Sequence, residues 1–253
     1  MKTFAIGDIH GNYKALKQCL ERANVDYEVD TVIQLGDIVD GHTDTFEVVE
    51  ELLKIRNLVL LKGNHDVWFF DWLNTGFHVD HWLQGGFNTA KSYMKQLDKE
   101  HLITRKSQGY LIALIPEDVS ASHWRFFANQ RFYYVDNKNR CFVHAGFDRK
   151  NNISEIRSYN PEQLYWDREL MQQAMSCKQG KLKTKDKFEE IFIGHTTTQL
   201  WNTTLPITRG GVTNLDTGAG GSGKLTIMNV DTHEYWQSDD SKTLYPDYIG
   251  RGG

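Results

Sequence analysis

The sequence has no long run of apolar residues. The run from Tyr110 to Ile115 is among the longest, and Pro116 ends it, whereas a membrane-spanning helix needs roughly 20 apolar residues. A secretory signal is not expected either, because a polar turn that begins at Gly7 occupies the place of its apolar stretch. We therefore expect a soluble, cytoplasmic protein that has no membrane as a partner.

The sequence is also poor in cysteine and has no excess of basic residues. Cys19, Cys141 and Cys177 are odd in number and lack the C-x-x-C spacing of metal sites, which favours packed thiols over a disulfide framework. The formal net charge is −4, and stable binding of long nucleic acids requires basic residues that neutralise phosphates. We therefore expect no such binding, although small anionic substrates remain open.

Short apolar runs alternate with helical patterns in the first part of the chain. Runs at residues 3–6, 31–35 and 58–61 are each followed by glycine, and the first two are followed by apolar residues at helical spacing. Further runs are found at residues 132–135, 141–143, 190–193 and 225–230. This alternation predicts an α/β fold built from βαβ units, whose strands run parallel in a buried sheet. The length of 253 residues favours a single domain over residues 1–253.

Two segments depart from this alternation. Residues 67–130 are rich in tryptophan, phenylalanine and tyrosine, and we interpret them as a cap-like insertion. Bulky rings dominate core burial, so a subsidiary core is favoured there over a surface on which bases stack. The polar, glycine-ended segment 237–253 is expected to be a loosely held tail.

Several predicted strands end in side chains that can bind metal ions. These are Asp8 and His10, then Asp37 and Asp40, then Asn64, His65 and Asp66, then His144, and finally His195. Ligands of parallel sheets gather beyond the carboxyl ends of the strands, so these side chains are expected to meet in one site. Carboxylate, imidazole and amide groups suit Mn, Fe or Zn, and a carboxylate such as Asp37 can bridge two ions. Any one of these motifs alone is usually a surface turn, but five motifs at the ends of predicted strands favour a metal site.

The chain resembles the calcineurin-like metallophosphoesterases over nearly its whole length. The motifs that carry the resemblance are Gly7-Asp8-Ile9-His10-Gly11, Gly36-Asp37-Ile38-Val39-Asp40, Gly63-Asn64-His65-Asp66, His144-Ala145-Gly146 and Gly194-His195-Thr196. The chain is most similar to the branch with bacterial and phage serine/threonine phosphatases and symmetrical dinucleoside tetraphosphatases. The segment 214–218 resembles that branch's closing motif. The fold implied is a sandwich of mixed β-sheets flanked by helices.

The resemblance also implies roles for the residues at the strand ends. Asp8, His10 and Asp37 would bind the first metal ion. Asp37, as the bridge, would bind the second together with Asn64, His144 and His195. The two ions would be manganese, with iron or zinc as alternatives. A hydroxide held between them would attack phosphorus in line. His65 would act as general acid, Asp40 would hold its ring, and Asp66 would support this arrangement.

One departure from the family pattern affects substrate binding. Gly41 stands where the protein phosphatases have an arginine that binds the substrate phosphate, and glycine cannot replace a two-pronged guanidinium. Arg168 resembles the second phosphate-binding arginine of the family and is the expected substrate contact. His42 and Arg149 are candidates to replace the missing arginine. The alternative for each is a solvent-exposed side chain without that role.

These features predict a metal-dependent phosphoric ester hydrolase. The first expectation is a phosphomonoesterase resembling a serine/threonine protein phosphatase, with a phosphorylated protein as its partner. The missing arginine weakens that expectation, so a nucleotide phosphohydrolase that acts on dinucleoside polyphosphates or 2′,3′-cyclic phosphates is the alternative. A non-catalytic binding scaffold is disfavoured, because all six metal ligands and His65 are present.

Overall fold

The computed structural model describes residues 1–77, 82, 84–106 and 109–247, and only the backbone within 105–111. A five-stranded mixed sheet is formed by strands from both ends of the chain. Its strands are β1 (Thr3–Ile6), β2 (Thr31–Gln34), β3 (Asn57–Leu60), β11 (Thr226–Asn229) and β12 (Tyr235–Gln237). They lie in the order β12-β11-β1-β2-β3, in which β1, β2 and β3 are parallel and β11 and β12 are antiparallel to their neighbours.

A second five-stranded mixed sheet is built from the middle and later part of the chain. Its strands are β6 (Tyr133–Val135), β7 (Arg140–Val143), β8 (Glu190–Ile193), β9 (Ile207–Arg209) and β10 (Val212–Asn214). They lie in the order β6-β7-β8-β10-β9, with the central three parallel and the edges antiparallel. A separate hairpin pairs β4 (Thr104–Lys106) with β5 (Gly109–Leu111). The parallel strands in both five-stranded sheets agree with the predicted βαβ units.

The two large sheets pack face to face. One buried cluster combines Ala5 and Ile33 of the first sheet with Phe142 and Phe192 of the second, and the rings of Phe142 and Phe192 stack with centroids 4.9 Å apart. Side chains alternate between the two faces of a strand, so the neighbours of Ala5 point to the other side, where they meet helices in a second cluster. The predicted sandwich of mixed sheets flanked by helices is confirmed.

Helices cover the outer faces of both sheets. They are α1 (Tyr13–Arg22), α2 (Thr45–Leu52), α3 (Asn64–Thr75), α4 (Gly86–Lys95), α5 (Ala121–Ala128), α6 (Ile153–Tyr159), α7 (Gln163–Trp166), α8 (Glu169–Ser176) and α9 (Ser241–Leu244), with 3-10 turns at Glu100–Leu102, Pro116–Asp118 and Thr198–Trp201. The Asn12 side chain accepts a hydrogen bond from the Ala15 N–H and caps α1. Among the described residues, no helix is long and apolar enough to cross a membrane.

The aromatic segment 67–130 packs against the helices of the first sheet. The Phe69 ring lies 5.7 Å from that of Trp72 and 5.0 Å from that of Phe127, and these rings belong to the same buried cluster as Phe4 and Leu16. His78 and His81, for which the sequence predicts ordinary packing or surface roles, lie outside the described residues. The description of this segment as a cap stays a prediction.

The described part of the C-terminal tail is attached to the body by hydrogen bonds. Ser241 is buried and its hydroxyl accepts a bond from the Asn12 amide, while the Tyr245 hydroxyl donates to Asp44. The Gln237 amide donates to the carbonyl of Thr204. These bonds join described residues of the segment to the rest of the protein. The description of 237–253 as a loosely held tail stays a prediction, and residues 248–253 lie outside the described part of the chain.

Candidate metal centre

The predicted ligands come from loops that leave the carboxyl ends of strands in both sheets. Asp8 and His10 follow β1, Asp37 follows β2, and Asn64 opens α3 shortly after β3. His144 follows β7 and His195 follows β8 in the second sheet. All six side chains are buried. The face-to-face packing of the sheets thus brings together residues that are up to 187 positions apart in sequence.

Asp37 lies between two groups of histidines. Its Oδ2 atom is 3.5 Å from Nε2 of His10 and 3.4 Å from Nε2 of His144, and its Oδ1 atom accepts the backbone N–H of His65 at 3.1 Å. Groups formed by His10, Asp37 and His65 and by Asp37, His144 and His195 each have potential ligand atoms within 4.8 Å of one another. Asp37 belongs to both groups, which is the arrangement expected of a bridging carboxylate.

Charge around Asp37 favours its ionised form. Burial opposes ionisation of the carboxyl group, but the nearby imidazoles, that of His144 first, hold its pKa well below the usual value. The pKa of His144 is raised to about 9: burial lowers it, but the charge of Asp37 outweighs that effect. In the absence of a cation, the site therefore stabilises a charged imidazole next to a carboxylate, and a metal ion would take the place of that proton.

The ring orientations of His10 and His144 direct Nε2 of each ring toward Asp37. Nδ1 of His10 lies 2.7 Å from the carbonyl of Asp40, and Nδ1 of His144 lies 2.8 Å from that of Leu35. A carbonyl can only accept, so Nδ1 carries the hydrogen in both rings. The neutral form of each ring then has its lone pair at Nε2, facing Asp37, as metal-ligating histidines require.

Three buried polar atoms of the site have no hydrogen-bond partner within the described part of the protein. They are Oδ1 of Asn64, Nε2 of His144 and Nε2 of His195. Leaving such atoms unsatisfied in the interior costs about 1–3 kcal/mol each, so a cation that accepts their lone pairs accounts for them. Amide oxygen, imidazole nitrogen and carboxylate form a donor set that suits Mn, Fe or Zn. The residues present therefore fit a metal centre.

Asp8, a predicted ligand of the first ion, lies next to His195, a predicted ligand of the second. Both carboxylate oxygens of Asp8 accept the His195 backbone N–H, at 3.3 and 3.0 Å. Burial, followed by the charge of Asp216, raises the pKa of Asp8 well above its usual value, so a cation is needed to stabilise its charged form. Burial, followed by the charges of His144 and Arg168, lowers the pKa of His195. Asp8 itself lies outside the two compact groups around Asp37.

His65 and Asp40 form the pair predicted for acid catalysis. Nδ1 of His65 donates to Oδ2 of Asp40 at 2.9 Å, and both residues are buried. The other oxygen of Asp40 accepts from Nε1 of Trp82 at 2.9 Å and from the Thr89 hydroxyl at 2.8 Å. Trp82 and Thr89 lie in no motif, so no sequence pattern indicates their contribution. Together these bonds fix the carboxylate that orients the His65 ring.

Asp66 anchors the loop that carries Asp37. Its carboxylate accepts the backbone N–H groups of Asp37 and Ile38, at 2.9 and 2.8 Å, and the Gln130 side-chain amide at 2.8 Å. Burial and the charge of Asp37 raise the pKa of Asp66 to about 6. The support expected of Asp66 thus acts through the backbone of its neighbour. Gln130 is a further contributor that the sequence did not indicate.

The backbone of the site adopts conformations that most residues avoid. The φ angles of His10, Asp37, Asp40 and His195 are 51°, 56°, 63° and 63°, in the left-handed region where non-glycine residues are uncommon. Such conformations persist where surrounding contacts impose them and are frequent at functional sites. Gly41 has a φ of 131°, and a Cβ atom there would lie 2.9 Å from the His10 carbonyl oxygen. A side chain at position 41 would therefore be strained in this backbone conformation.

The candidates for binding phosphate differ in their surroundings. Nη1 of Arg168 lies 3.4 Å from the carbonyl of His195 and 3.3 Å from the hydroxyl of Thr196, so its side chain lies beside the metal ligands. His42 is buried, with Nε2 2.9 Å from the Ala219 carbonyl. Arg149 donates to Gln173 at 2.8 Å. Neither of these two side-chain contacts involves a predicted metal ligand.

Sites in which one carboxylate lies between two groups of metal-binding side chains are typical of two-metal hydrolases, and we assign the fold and the site to that class. The chain belongs to the calcineurin-like phosphoesterase family, whose model matches residues 1–199. This match confirms the family expected from the motifs, and with it the predicted class of metal-dependent phosphoric ester hydrolases.

Curated relatives and solved structures agree with this assignment. A symmetrical bis(5′-nucleosyl)-tetraphosphatase of Proteus mirabilis is 40% identical over 68 residues, which cover 26% of this chain and 25% of the relative. The enzyme of the same name from Baumannia cicadellinicola is 28% identical over 155 residues, which cover 60% and 45%. The chain thus matches less than half of the length of either relative. The crystal structure of a candidate diadenosine tetraphosphatase superposes with a TM-score of 0.63 at 14% identity, over 93% and 92% of the two chains.

Proposed function

We propose that this chain hydrolyses phosphoric esters with two bound cations. One cation would be held by Asp8, His10 and Asp37, and the other by Asp37, Asn64, His144 and His195. The observation that carries the proposal is the position of Asp37 Oδ2, 3.5 and 3.4 Å from nitrogens of His10 and His144. Manganese is the first candidate for both cations, with iron and zinc as alternatives, because all three accept imidazole and carboxylate ligands.

The bound cations would supply a water of lowered pKa and would neutralise charge on the phosphoryl group. His65 supplies the proton that the leaving oxygen needs. The Asp40 carboxylate accepts its Nδ1 hydrogen at 2.9 Å, which orients the ring and leaves Nε2 as the donor. Asp40 acts through His65 and is therefore a positioning residue.

Arg168 is proposed as the residue that binds the substrate phosphate. Its guanidinium lies beside His195, within 3.4 Å of the His195 carbonyl and 3.3 Å of the Thr196 hydroxyl. Its side chain is exposed, so its remaining donors can reach a phosphate bound at the metal centre. An arginine offers several donors in a fixed plane, which match two phosphate oxygens at once.

Two substrate classes are compatible with this chemistry. A serine/threonine phosphoprotein is the class expected from the motifs, and a nucleotide is the second candidate. The glycine at position 41 weakens the first candidate, because the phosphate-binding arginine expected there from the resemblance to protein phosphatases is missing. The names of the curated relatives point the same way. A panel with manganese that compares phosphopeptides with nucleotides, including a dinucleoside tetraphosphate, tests the choice, and the faster class identifies the substrate.

The variant His65→Asn tests the acid role. An alkyl phosphate has a poor leaving group that needs a proton, so we expect kcat for glycerol 3-phosphate to fall by about 10²–10⁴. For p-nitrophenyl phosphate, whose leaving group needs no proton, we expect a much smaller loss. Metal content, measured on the same samples, should stay at the wild-type level. Equal losses on the two substrates, or a loss of metal, would contradict the role of His65 as general acid.

A further inference from the structure

We propose that the exposed part of the Trp166 ring, which contacts Trp68, binds a planar aromatic part of the substrate on the side of the leaving group. The inference rests on the proposed hydrolysis and adds a residue that selects among its substrates. It follows from a continuous series of ring contacts that joins the proposed acid to a proposed metal ligand. None of the strand-end motifs includes either tryptophan.

The ring series connects four side chains. The His65 ring lies 4.5 Å from that of Trp68, the Trp68 ring lies 5.6 Å from that of Trp166, and the Trp166 ring lies 5.7 Å from that of His195. The first link starts at the residue that would protonate the leaving oxygen. A group attached to that oxygen therefore leaves the site next to the two indole rings.

The exposure of the two rings differs in a way that suits binding. Trp68 is 7% exposed and belongs to the main hydrophobic cluster, whereas Trp166 is 41% exposed. The Trp166 indole meets the Trp68 ring at an angle of 50° and the His195 ring at 90°. A rigid ring that is held by such contacts and is still partly exposed offers a flat surface on which a planar group can stack. Trp166 is the last residue of α7, so its position is fixed by a helix and by two ring contacts.

The same short segment also provides a cation. Arg168 lies two residues after Trp166, and its Nη1 atom is 3.4 Å from the carbonyl of His195, the residue whose ring contacts Trp166. An indole ring that contacts the His195 ring and a guanidinium that contacts the His195 carbonyl form a pair suited to an anionic phosphate that is linked to an aromatic group. A nucleobase or a phenol ring can supply that group, and an alkyl chain cannot stack in this way.

The chain contains a matched control for this tryptophan. Trp124 is also 41% exposed, and its ring lies 5.6 Å from one aromatic neighbour, Phe70. Trp124 belongs to α5, in the segment that packs against the first sheet, and it makes no ring contact with a proposed catalytic residue among those described. Removing it changes the protein as much as removing Trp166 does, without touching the proposed platform.

The experiment compares Trp166→Ala, Trp166→Phe and Trp124→Ala on three phosphomonoesters: adenosine 5′-monophosphate, phosphotyrosine and glycerol 3-phosphate. We expect Trp166→Ala to raise KM for at least one aromatic substrate about 10-fold, with kcat and the KM for glycerol 3-phosphate within about twofold of wild type. Trp166→Phe should restore most of the loss, and Trp124→Ala should match wild type. The comparison of adenosine 5′-monophosphate with phosphotyrosine distinguishes a nucleobase from a phenol ring as the bound group.

A KM that is unchanged in Trp166→Ala for both aromatic substrates would overturn the proposal, and so would equal changes for aromatic and alkyl substrates. Binding of adenosine and of phenol, measured by calorimetry with glycerol as the reference, provides a readout that needs no turnover. Wild type should bind one of the aromatic compounds several-fold more tightly than Trp166→Ala does. If the wild-type protein released no phosphate from any ester, the proposed function would fail, while this binding difference would still decide the role of Trp166.

Discussion

Asp40 accepts hydrogen bonds from the side chains of His65, Trp82 and Thr89. The pairing of Asp40 with His65 could be predicted, because both residues belong to motifs at strand ends. Trp82 and Thr89 lie 42 and 49 residues after Asp40, in a segment whose path no local pattern determines. Their contribution depends on how α4 packs against the β2 loop, which is a tertiary contact that no periodicity encodes.

The variant Thr89→Val tests whether this support matters for catalysis. It removes one donor to Asp40 and also the acceptor of the Asp40 backbone N–H at 2.9 Å, so the carboxylate that orients His65 is less well fixed. We expect kcat on glycerol 3-phosphate to fall about 10-fold, a size typical of groups that orient metal ligands, with little change in KM. Thr89→Ser keeps the hydroxyl and should restore most of the rate. A Thr89→Ser variant as slow as Thr89→Val would show that packing of the methyl group, not the hydrogen bond, is responsible.

At the scale of elements, the buried strands were easier to predict than the short strands at the sheet edges. The runs at residues 3–6, 31–35 and 225–230 correspond closely to β1, β2 and β11, because buried strands have apolar sequences. The antiparallel position of β11 next to β1 was not predicted, since it joins segments more than 200 residues apart. The short strands β9 and β12 have few buried residues and thus no apolar run to reveal them.

The contact between α5 and the helices α2 and α4 makes a pH-dependent contribution to the free energy of unfolding. Nδ1 of His123, in α5, is hydrogen-bonded to the Tyr93 hydroxyl at 2.9 Å. Its Nε2 atom lies 2.7 Å from a carboxylate oxygen of Glu50. Burial lowers the pKa of His123 below 6.5, although the bond to Glu50 opposes the shift. The unfolded chain therefore binds this proton more readily than the folded protein does.

It follows that His123 contributes stability that is present above pH 6.5 and is lost as the pH falls below that value. We expect His123→Gln to reduce this part of the pH dependence. The measurement is urea unfolding of the two proteins between pH 5 and 8, about 1.5 units on either side of the ordinary pKa of histidine, with manganese in excess so that the site histidines remain unprotonated. Parallel stability curves for wild type and variant would contradict the assignment.

At the scale of the whole molecule, the site lies where two sheets meet. Asp37 comes from the loop after β2 in the first sheet, and His144 and His195 come from loops after β7 and β8 in the second. The motifs predicted which residues gather, because the carboxyl ends of parallel strands share an edge. They could not predict the distances, since these depend on the packing of buried rings such as Phe142 and Phe192 between the sheets.

Metal content tests the central claim, a two-metal centre bridged by Asp37, most directly. The protein and its Asp37→Ala variant would be stripped, dialysed against manganese and analysed by mass spectrometry, with Asp98→Ala as the control. Asp98 is exposed and has the same φ of 56° as Asp37, so both substitutions change the backbone alike. We expect about two ions per chain in wild type and in Asp98→Ala, and fewer than one in Asp37→Ala. One ion or none in wild type, or two in Asp37→Ala, would contradict that claim.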